Sequence, residues 1–371
     1  MWLDTAYMAE VSIKVFIVIW IRITMNRMGL TVLVGGQYGS EGKGKISGYL
    51  AREFQMAIRT GGPNAGHSLE YGGKIYAMRS VPCAFVNPSC LLGIGAGAVI
   101  DIDVLKKEIE TTSLRPGRLI IDPHVGVIEQ RHRSAEEELG KRIGSTKEGV
   151  GAAMSDRVLR KEDFKMVRDY PELKEWLGDV SGRANDIIDK GGNVFLEGTQ
   201  GFGLSLYGGP FPFTTSRDTT PAAFCSEAGL SPRLVNQIIM VIRTFPIRVG
   251  GNSGPMNSEM TWEEVERRMG ASIDEREKIT TVTKRLRRVS EFDYSEVARA
   301  AMVMRPTQVA VNFVDYINLK DHGKRKFDDL SDESKKFISK VEEETKTPVT
   351  LIGTGPMSAD IIDLRKEKLG I

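Results

Sequence analysis

The sequence predicts an α/β fold in which a mostly parallel central sheet carries flanking helices and a P-loop-like phosphate loop. Three observations predict it. Apolar runs of strand length alternate with helical patterns along the chain. The first convincing run, Leu30–Gly35, opens directly onto a glycine-rich loop, Gly36–Gly44, with a helix expected from about Lys45. The 371 residues suit one large domain with subdomain insertions better than one small core.

Residues 1–28 stand apart from this pattern. Ile13–Ile23 is apolar but holds Lys14 and Arg22, and it is shorter than the roughly 20 apolar residues that span a bilayer. Asp4 and Glu10 precede it and no small-residue cleavage site follows, which argues against a signal peptide. Met25 and Met28 lie just ahead of the first strand. Residues 1–28 therefore read as a dispensable extension, with an extra edge strand as the alternative, and residues 29–371 as the single domain.

After the glycine loop, apolar runs of strand length are Leu91–Ile94, Leu119–Asp122, Val194–Glu197, Ile238–Ile242, Val309–Val314 and Val349–Ile352. Thr261 and Glu264 form a capping box at one helix start. Phe337, Ile338 and Val341 make the apolar face of another helix, over 332–345. The balance of 51 basic and 49 acidic residues gives a net charge of +2, so no basic field points to nucleic acid. Cys83, Cys90 and Cys225 show no metal-ligand spacing, and their odd number suits reduced thiols in a cytoplasmic protein with no membrane partner.

Five segments carry candidate chemistry. In Gly35–Lys45, glycines without Cβ let backbone N–H groups approach phosphate oxygens, and the following helix start adds partial positive charge. Gly39, Gly44 and Lys45 satisfy G-x-x-x-x-G-K, but Ile46 stands where a P-loop has Ser or Thr. In Arg59–Ser68, His67 alone of four histidines sits in a glycine loop, which suits a phosphate contact or general acid as well as a structural role. Glu197–Gly203 leaves a strand and reads as a ligand loop or an ordinary exit. Pro212–Thr220 offers hydroxyls to a phosphate or forms a capped turn. Thr280–Arg288 holds four cations in five residues, a solvated face or a carboxylate site.

Together these segments resemble the adenylosuccinate synthetase family, above all its short archaeal form. GQYGSEGKGK, RTGGPNAGHS, STKEGVGAAMSDRVLR, EGTQGFGLSL, PFPFTTSRDTT, FPIRVGG, TVTKRLRRVSEFD and LIGTGP occur in family order over roughly residues 30–357. The resemblance implies the adenylosuccinate synthetase fold and a carbon–nitrogen ligase of two steps. A nucleoside triphosphate phosphorylates the purine 6-oxygen, and the aspartate amine then displaces phosphate. It implies that Gly39, Ser40, Glu41, Gly42, Lys43, Gly44 and Lys45 hold the triphosphate, joined by Gly66, His67 and Ser68. His67 would be the general acid, with Ser40 and Gln200 completing the catalytic set. Ser40 and the Gly66 carbonyl would face Mg²⁺. Ser40, Asn64, Ala65, Thr146, Gln200, Thr215 and Arg285 would hold the mononucleotide, and Arg160 would reach it from the second subunit of a homodimer. Thr283, Arg285 and Arg287 would bind L-aspartate. Asp315, Gly353, Thr354 and Gly355 would border the triphosphate base.

Three residues depart from the family pattern. Its phosphate loop has Asp where Ser40 stands, and that Asp takes the N1 proton of inosinate and binds Mg²⁺. A Ser hydroxyl is a poor base and a weak Mg²⁺ ligand. Lys284 replaces a Gly, and Phe313 stands where many members have Lys. Ser at this position resembles a viral branch, the 2-aminodeoxyadenylosuccinate synthetases, which take dGMP with ATP and lead to 2-aminoadenine in DNA. The shorter side chain opens room beside C2, where guanine carries its amino group. The expectation is ligation of aspartate to dGMP with ATP, giving N6-succino-2-amino-2′-deoxyadenylate. The alternatives are IMP with GTP, and an inactive nucleotide-binding homologue. Deleting residues 1–28 is expected to leave turnover and melting temperature unchanged in a thermal-shift and activity assay. Aggregation of the truncated chain would make Ile13–Ile23 an integral strand.

Overall fold

Strand β1, Gly29–Gly35, runs through the centre of a nine-stranded sheet in this computed structural model, which describes residues 29–280 and 285–371. The expectations for residues 1–28, Thr283 and Lys284 lie outside the described residues. The other strands are β2 Met56–Arg59, β3 Leu91–Ile94, β4 Leu119–Ile121, β5 Asn193–Glu197, β6 Val235–Arg243, β7 Gln308–Asn312, β8 Val349–Gly353 and β9 Ile361–Asp363. Their spatial order is β9-β8-β7-β6-β1-β5-β2-β3-β4. Every pairing is parallel except that of β8 with β9.

Parallel strands are buried on both faces, so each reads as a nearly unbroken apolar run. The alternation shows in the packing. Leu30, Val32 and Val34 of β1 join one apolar cluster with Met56, Ile58, Val194 and Leu196. Leu33, Ala57 and Phe195 point the other way, into a second cluster. Each fully buried Leu, Ile or Val contributes about 1.5–3 kcal/mol. A third cluster, around Phe245, Trp262 and Val289, lies under a small sheet of Ile247–Arg248, Glu259–Met260 and Arg288–Ser290.

Element boundaries differ from expectation where side chains outvote local pattern. Strand β6 extends to nine residues because both its neighbours keep pairing with it. Strand β7 ends at Asn312, since Phe313 turns into the left-handed region at φ 64° and starts a 3-10 turn. Strands β2 and β9, short and lacking period, escape a sequence reading. The helix after the phosphate loop begins at Lys43 rather than about Lys45. The Thr261–Glu264 capping box and the 332–345 helix form as expected. Among the described residues, no helix is long and apolar enough to cross a membrane.

The sheet positions the chemistry. From β1 the chain goes to β2 on one flank, while β5 and β6 flank β1 directly. The loops leaving the carboxyl ends of β1, β2, β5 and β6 therefore emerge around one crevice, the place where open α/β sheets bind ligands.

Candidate active site

Glycine dictates the phosphate loop. Gly42 caps the helix Lys43–Leu50 at φ 88°, a conformation that costs any residue with a Cβ. A Cβ there would also lie 2.6 Å from the Asn312 Nδ2, which donates to the Glu41 carbonyl and ties the loop to β7. No side chain caps this helix, so its first-turn N–H groups remain open to an anion. Glu41 is fully buried inside the loop, accepting the N–H groups of Gln37 and Gly39 at 3.2 and 2.8 Å and the Lys43 ammonium at 2.6 Å. It braces the loop from within, so the Gly39 N–H is spent on Glu41. The Lys43 ammonium also donates to the Gln200 carbonyl at 2.5 Å.

Strands β2 and β5 end in opposite charges. Arg59 closes β2 and Glu197 closes β5, and Arg59 Nη1 meets Glu197 Oε1 at 3.0 Å. Glu197 also accepts from His67 Nδ1 at 2.6 Å, Ser47 Oγ at 2.6 Å and the Cys83 N–H at 2.8 Å. Burial opposes charge on Glu197, but its hydrogen bonds from His67, Arg59 and Ser47 outweigh burial and hold the carboxyl below its usual range. Burial, and next the Arg59 charge, push His67 down to about 3. The ionised carboxylate thus assigns the His67 proton to Nδ1, and Nε2 is buried with no protein partner. His67 itself opens a hairpin strand, His67–Tyr71, rather than lying within the glycine loop.

A cavity of about 420 Å³ occupies the crevice. It gathers Gly39, Ser40 and Lys43 from the phosphate loop, and Asn64, Ala65, Gly66 and His67 from the segment after β2. Gln200, Thr146, Thr215 and Arg287 complete the expected residues in its wall. Arg287 is held by its own carbonyl, which accepts the Trp262 indole N–H at 2.8 Å, and by Nη1 donation to the Glu277 carbonyl at 2.7 Å. Burial, with nearby Arg243, pushes its guanidinium down to about 10.

Other expected residues lie elsewhere. Glu41, Gly42 and Gly44 sit behind the wall, and Ser68 is exposed on the hairpin. Lys45 donates to the carbonyls of Gly355 and Asp360 at 2.6 and 2.8 Å, so a phosphate contact would require it to leave both. Burial lowers its ammonium to about 8. Asp315, Gly353, Thr354 and Gly355 stand beyond Lys45, at the ends of β7 and β8, and Asp315 pairs with His322 at 3.0 Å. Arg285 folds back through its N–H onto Thr280 Oγ1 at 3.0 Å and is absent from the cavity wall. Arg160 is exposed past the helix Val150–Val158. Sequence reasoning missed Tyr38, Glu136 and Arg248, which also line the cavity. Glu136 accepts the N–H groups of Gly149, Gly151 and Ala152, fixing the turn that carries Thr146.

The donor set fits Mg²⁺ in one way. Among described residues lining the cavity, Glu136 is the single carboxylate, and backbone N–H groups occupy it. The protein then offers the Ser40 hydroxyl and Gly66 carbonyl, and a Mg²⁺ ion would take most ligands from phosphates and water, as it commonly does. His67, Cys83 and Glu197 also cluster, but Arg59, Ser47 and the Cys83 N–H already claim the carboxylate oxygens. Replacing Glu197 by Ala is expected to cost about 3–5 kcal/mol, because Arg59 would stay buried without a counter-charge. Urea unfolding measures this, and a loss below about 1 kcal/mol would show that the cluster is dispensable for stability.

Comparison with known proteins gives this geometry a context. The family model described as "Adenylosuccinate synthetase" matches residues 32–168 and 160–324. Adenylosuccinate synthetase of Methanocaldococcus jannaschii is 44% identical over 345 residues, covering 91% of this chain and 97% of its own. That of Archaeoglobus fulgidus is 43% identical over 348 residues, 92% of this chain and all of its own. Among solved structures, fully ligated adenylosuccinate synthetase from Plasmodium falciparum superposes with a TM-score of 0.81 at 21% identity, over 90% of this chain and 99% of that one. Cyanophage S-2L succinoaminodeoxyadenylate synthetase (PurZ), bound to dGMP and dATP as an energy donor, gives 0.76 at 29% identity, over 91% of this chain and 95% of that one.

Proposed function

We propose, from the premise that this chain belongs to the adenylosuccinate synthetase family, that it joins L-aspartate to C6 of dGMP with ATP as phosphoryl donor. The family makes it a carbon–nitrogen ligase driven by a nucleoside triphosphate. The observation that carries the choice of mononucleotide is Ser40, whose short side chain faces the cavity where a carboxylate would crowd the guanine 2-amino group.

The roles follow from what each group can do. Open N–H groups at the helix start would attract the triphosphate, and the Lys43 ammonium, already shared between Glu41 and the Gln200 carbonyl, has one N–H left to offer it. His67 is held neutral by burial and by Arg59, with its proton on Nδ1. The negative charge of a bound phosphoryl group would favour a second proton on Nε2, and the imidazolium, stabilised by Glu197, would donate to the transferring group. Asn64, Ala65, Thr146, Gln200 and Thr215 would hold the mononucleotide. Arg287, aided by Arg285 and Thr283, would take the aspartate carboxylates, a pairing that suits a planar guanidinium. Mg²⁺ held by Ser40, Gly66 and phosphate oxygens would neutralise developing charge. The exposed position of Arg160 suits a residue that serves a second copy in a homodimer.

A second reading, IMP with GTP, is favoured by the names of the archaeal relatives, which support it better than they support dGMP. Measuring kcat/KM for dGMP, GMP and IMP, each with ATP and GTP, separates the two. The expected outcome is highest efficiency with dGMP and ATP, and a higher value for IMP with GTP would establish the second reading instead. In the same assay His67→Ala should lower kcat by about 10²–10³-fold with little change in mononucleotide KM. A change in kcat below about threefold would remove His67 from the chemistry.

A further inference from the structure

We infer that Arg243 is a positioning residue that holds Ser40 in place, that Phe313 in turn holds Arg243, and that the three set which purine mononucleotide the cavity accepts. The inference deepens the proposed function and rests on it.

Arg243 is the last residue of β6 and only 1% exposed. The Gln37 side chain clasps its backbone, with Arg243 N donating to Gln37 Oε1 at 2.9 Å and Gln37 Nε2 donating to the Arg243 carbonyl at 3.1 Å. The strand end is thereby fixed against the phosphate loop. The guanidinium reaches back along that loop and Nη1 donates to the Ser40 carbonyl at 3.1 Å. On its other side it lies over the Phe313 ring, 4.0 Å from the centroid. Phe313 is itself pinned, through its carbonyl to Thr244 Oγ1 at 2.6 Å and edge-on to Tyr316 at 5.2 Å.

Two features show that this arrangement is held against resistance. Ser40 has φ 57°, a left-handed conformation unfavourable for a residue with a Cβ, and beside the internal brace of Glu41 the Arg243 guanidinium is the contact from outside the loop that holds its carbonyl. Arg243 Nε and Nη2 are buried without any hydrogen-bond partner, and no carboxylate among the described residues pairs with it. A buried cation with orphaned donors lowers stability. Nearby Arg287 adds repulsion, and the carboxylates of Glu277, Glu41 and Asp315 favour the charge without outweighing burial, which holds the guanidinium below its usual range. An apolar side chain of similar length would suit the fold better. What the guanidinium supplies and an apolar chain cannot is the hold on Ser40 and a fixed positive charge behind the loop. Ser40 and Phe313, far apart in sequence, thus meet through one side chain.

The test uses the full-length protein with Arg243→Met, Arg243→Lys, Phe313→Leu and the Arg243→Met/Phe313→Leu pair. Each is assayed for melting temperature, for kcat/KM with dGMP and IMP, and for binding of both nucleotides by calorimetry. Arg243→Met should melt at the same or a higher temperature, yet change the dGMP-to-IMP ratio by at least about tenfold. Arg243→Lys, which keeps the charge but not the planar stack, should recover part of the ratio. Phe313→Leu should move the ratio the same way, and the pair should move it no further than Arg243→Met alone. A ratio within about threefold of wild type in folded Arg243→Met, or additive effects in the pair, overturns the inference. If Arg243→Met does not fold, the same ratio criterion applies to Arg243→Lys and Phe313→Leu. A wild type that neither binds nor converts either nucleotide overturns the proposed function and this inference with it.

Discussion

One carboxylate joins the parts on which this site depends. Glu197, at the carboxyl end of β5, receives Arg59 from β2, Ser47 from the helix after the phosphate loop, His67 from the hairpin, and the N–H of Cys83. Each partner comes from a different stretch of chain. In an interior of low dielectric such a charge is tolerable only when its oxygens are fully engaged. The demand for satisfaction therefore fixes the mutual position of the strands, the helix and the imidazole. His67 is oriented because Glu197 needs its proton, and its second nitrogen is left toward the cavity as a consequence.

The phosphate loop applies the same economy with backbone groups. Glu41 takes up the inner N–H groups and one lysine, while the helix start stays uncapped. The loop is braced by its own side chain, and the groups it leaves open are those that favour an anion. Lys45, on the next turn, is spent on carbonyls of the β8–β9 connection and ties the loop to the segment around Asp315. Buried positive charge is concentrated at Arg243, which forms no ion pair with a carboxylate among the described residues, and at Arg287, whose nearest carboxylate is Glu277 at 3.9 Å. A site with buried cations and few free carboxylates is arranged for anionic substrates, at a cost to stability borne by the extensive apolar layers on both sheet faces.

Much of this was legible along the chain. The run Leu30–Gly35, the glycines after it and the open helix start are local consequences of composition, so they could be read without contacts. The order of the motifs carried the family. Strands β2 and β9 were not legible, because strands of four and three residues leave no period to detect. Nor were the roles of Arg59, Glu197 and Arg243, although a signal existed. Each is a charge closing the apolar stretch at the carboxyl end of a parallel strand, where the ligand crevice of an open α/β sheet lies.

The sequence by itself determined the fold class, the family and the candidate groups of the cavity, because backbone preference, apolar periodicity and motif order are properties of neighbouring residues. Only the tertiary structure decided which of those groups are free. Lys45 and Glu41 look from the sequence like phosphate contacts, yet both are consumed by partners brought near by folding. Arg243 looks like an ordinary strand end, yet it lies between Ser40 and Phe313 with Nε and Nη2 left without a partner. The physical reason is that a hydrogen bond or ion pair is settled by proximity in space, and groups 69 to 271 residues apart in sequence become neighbours only once parallel strands align their carboxyl ends.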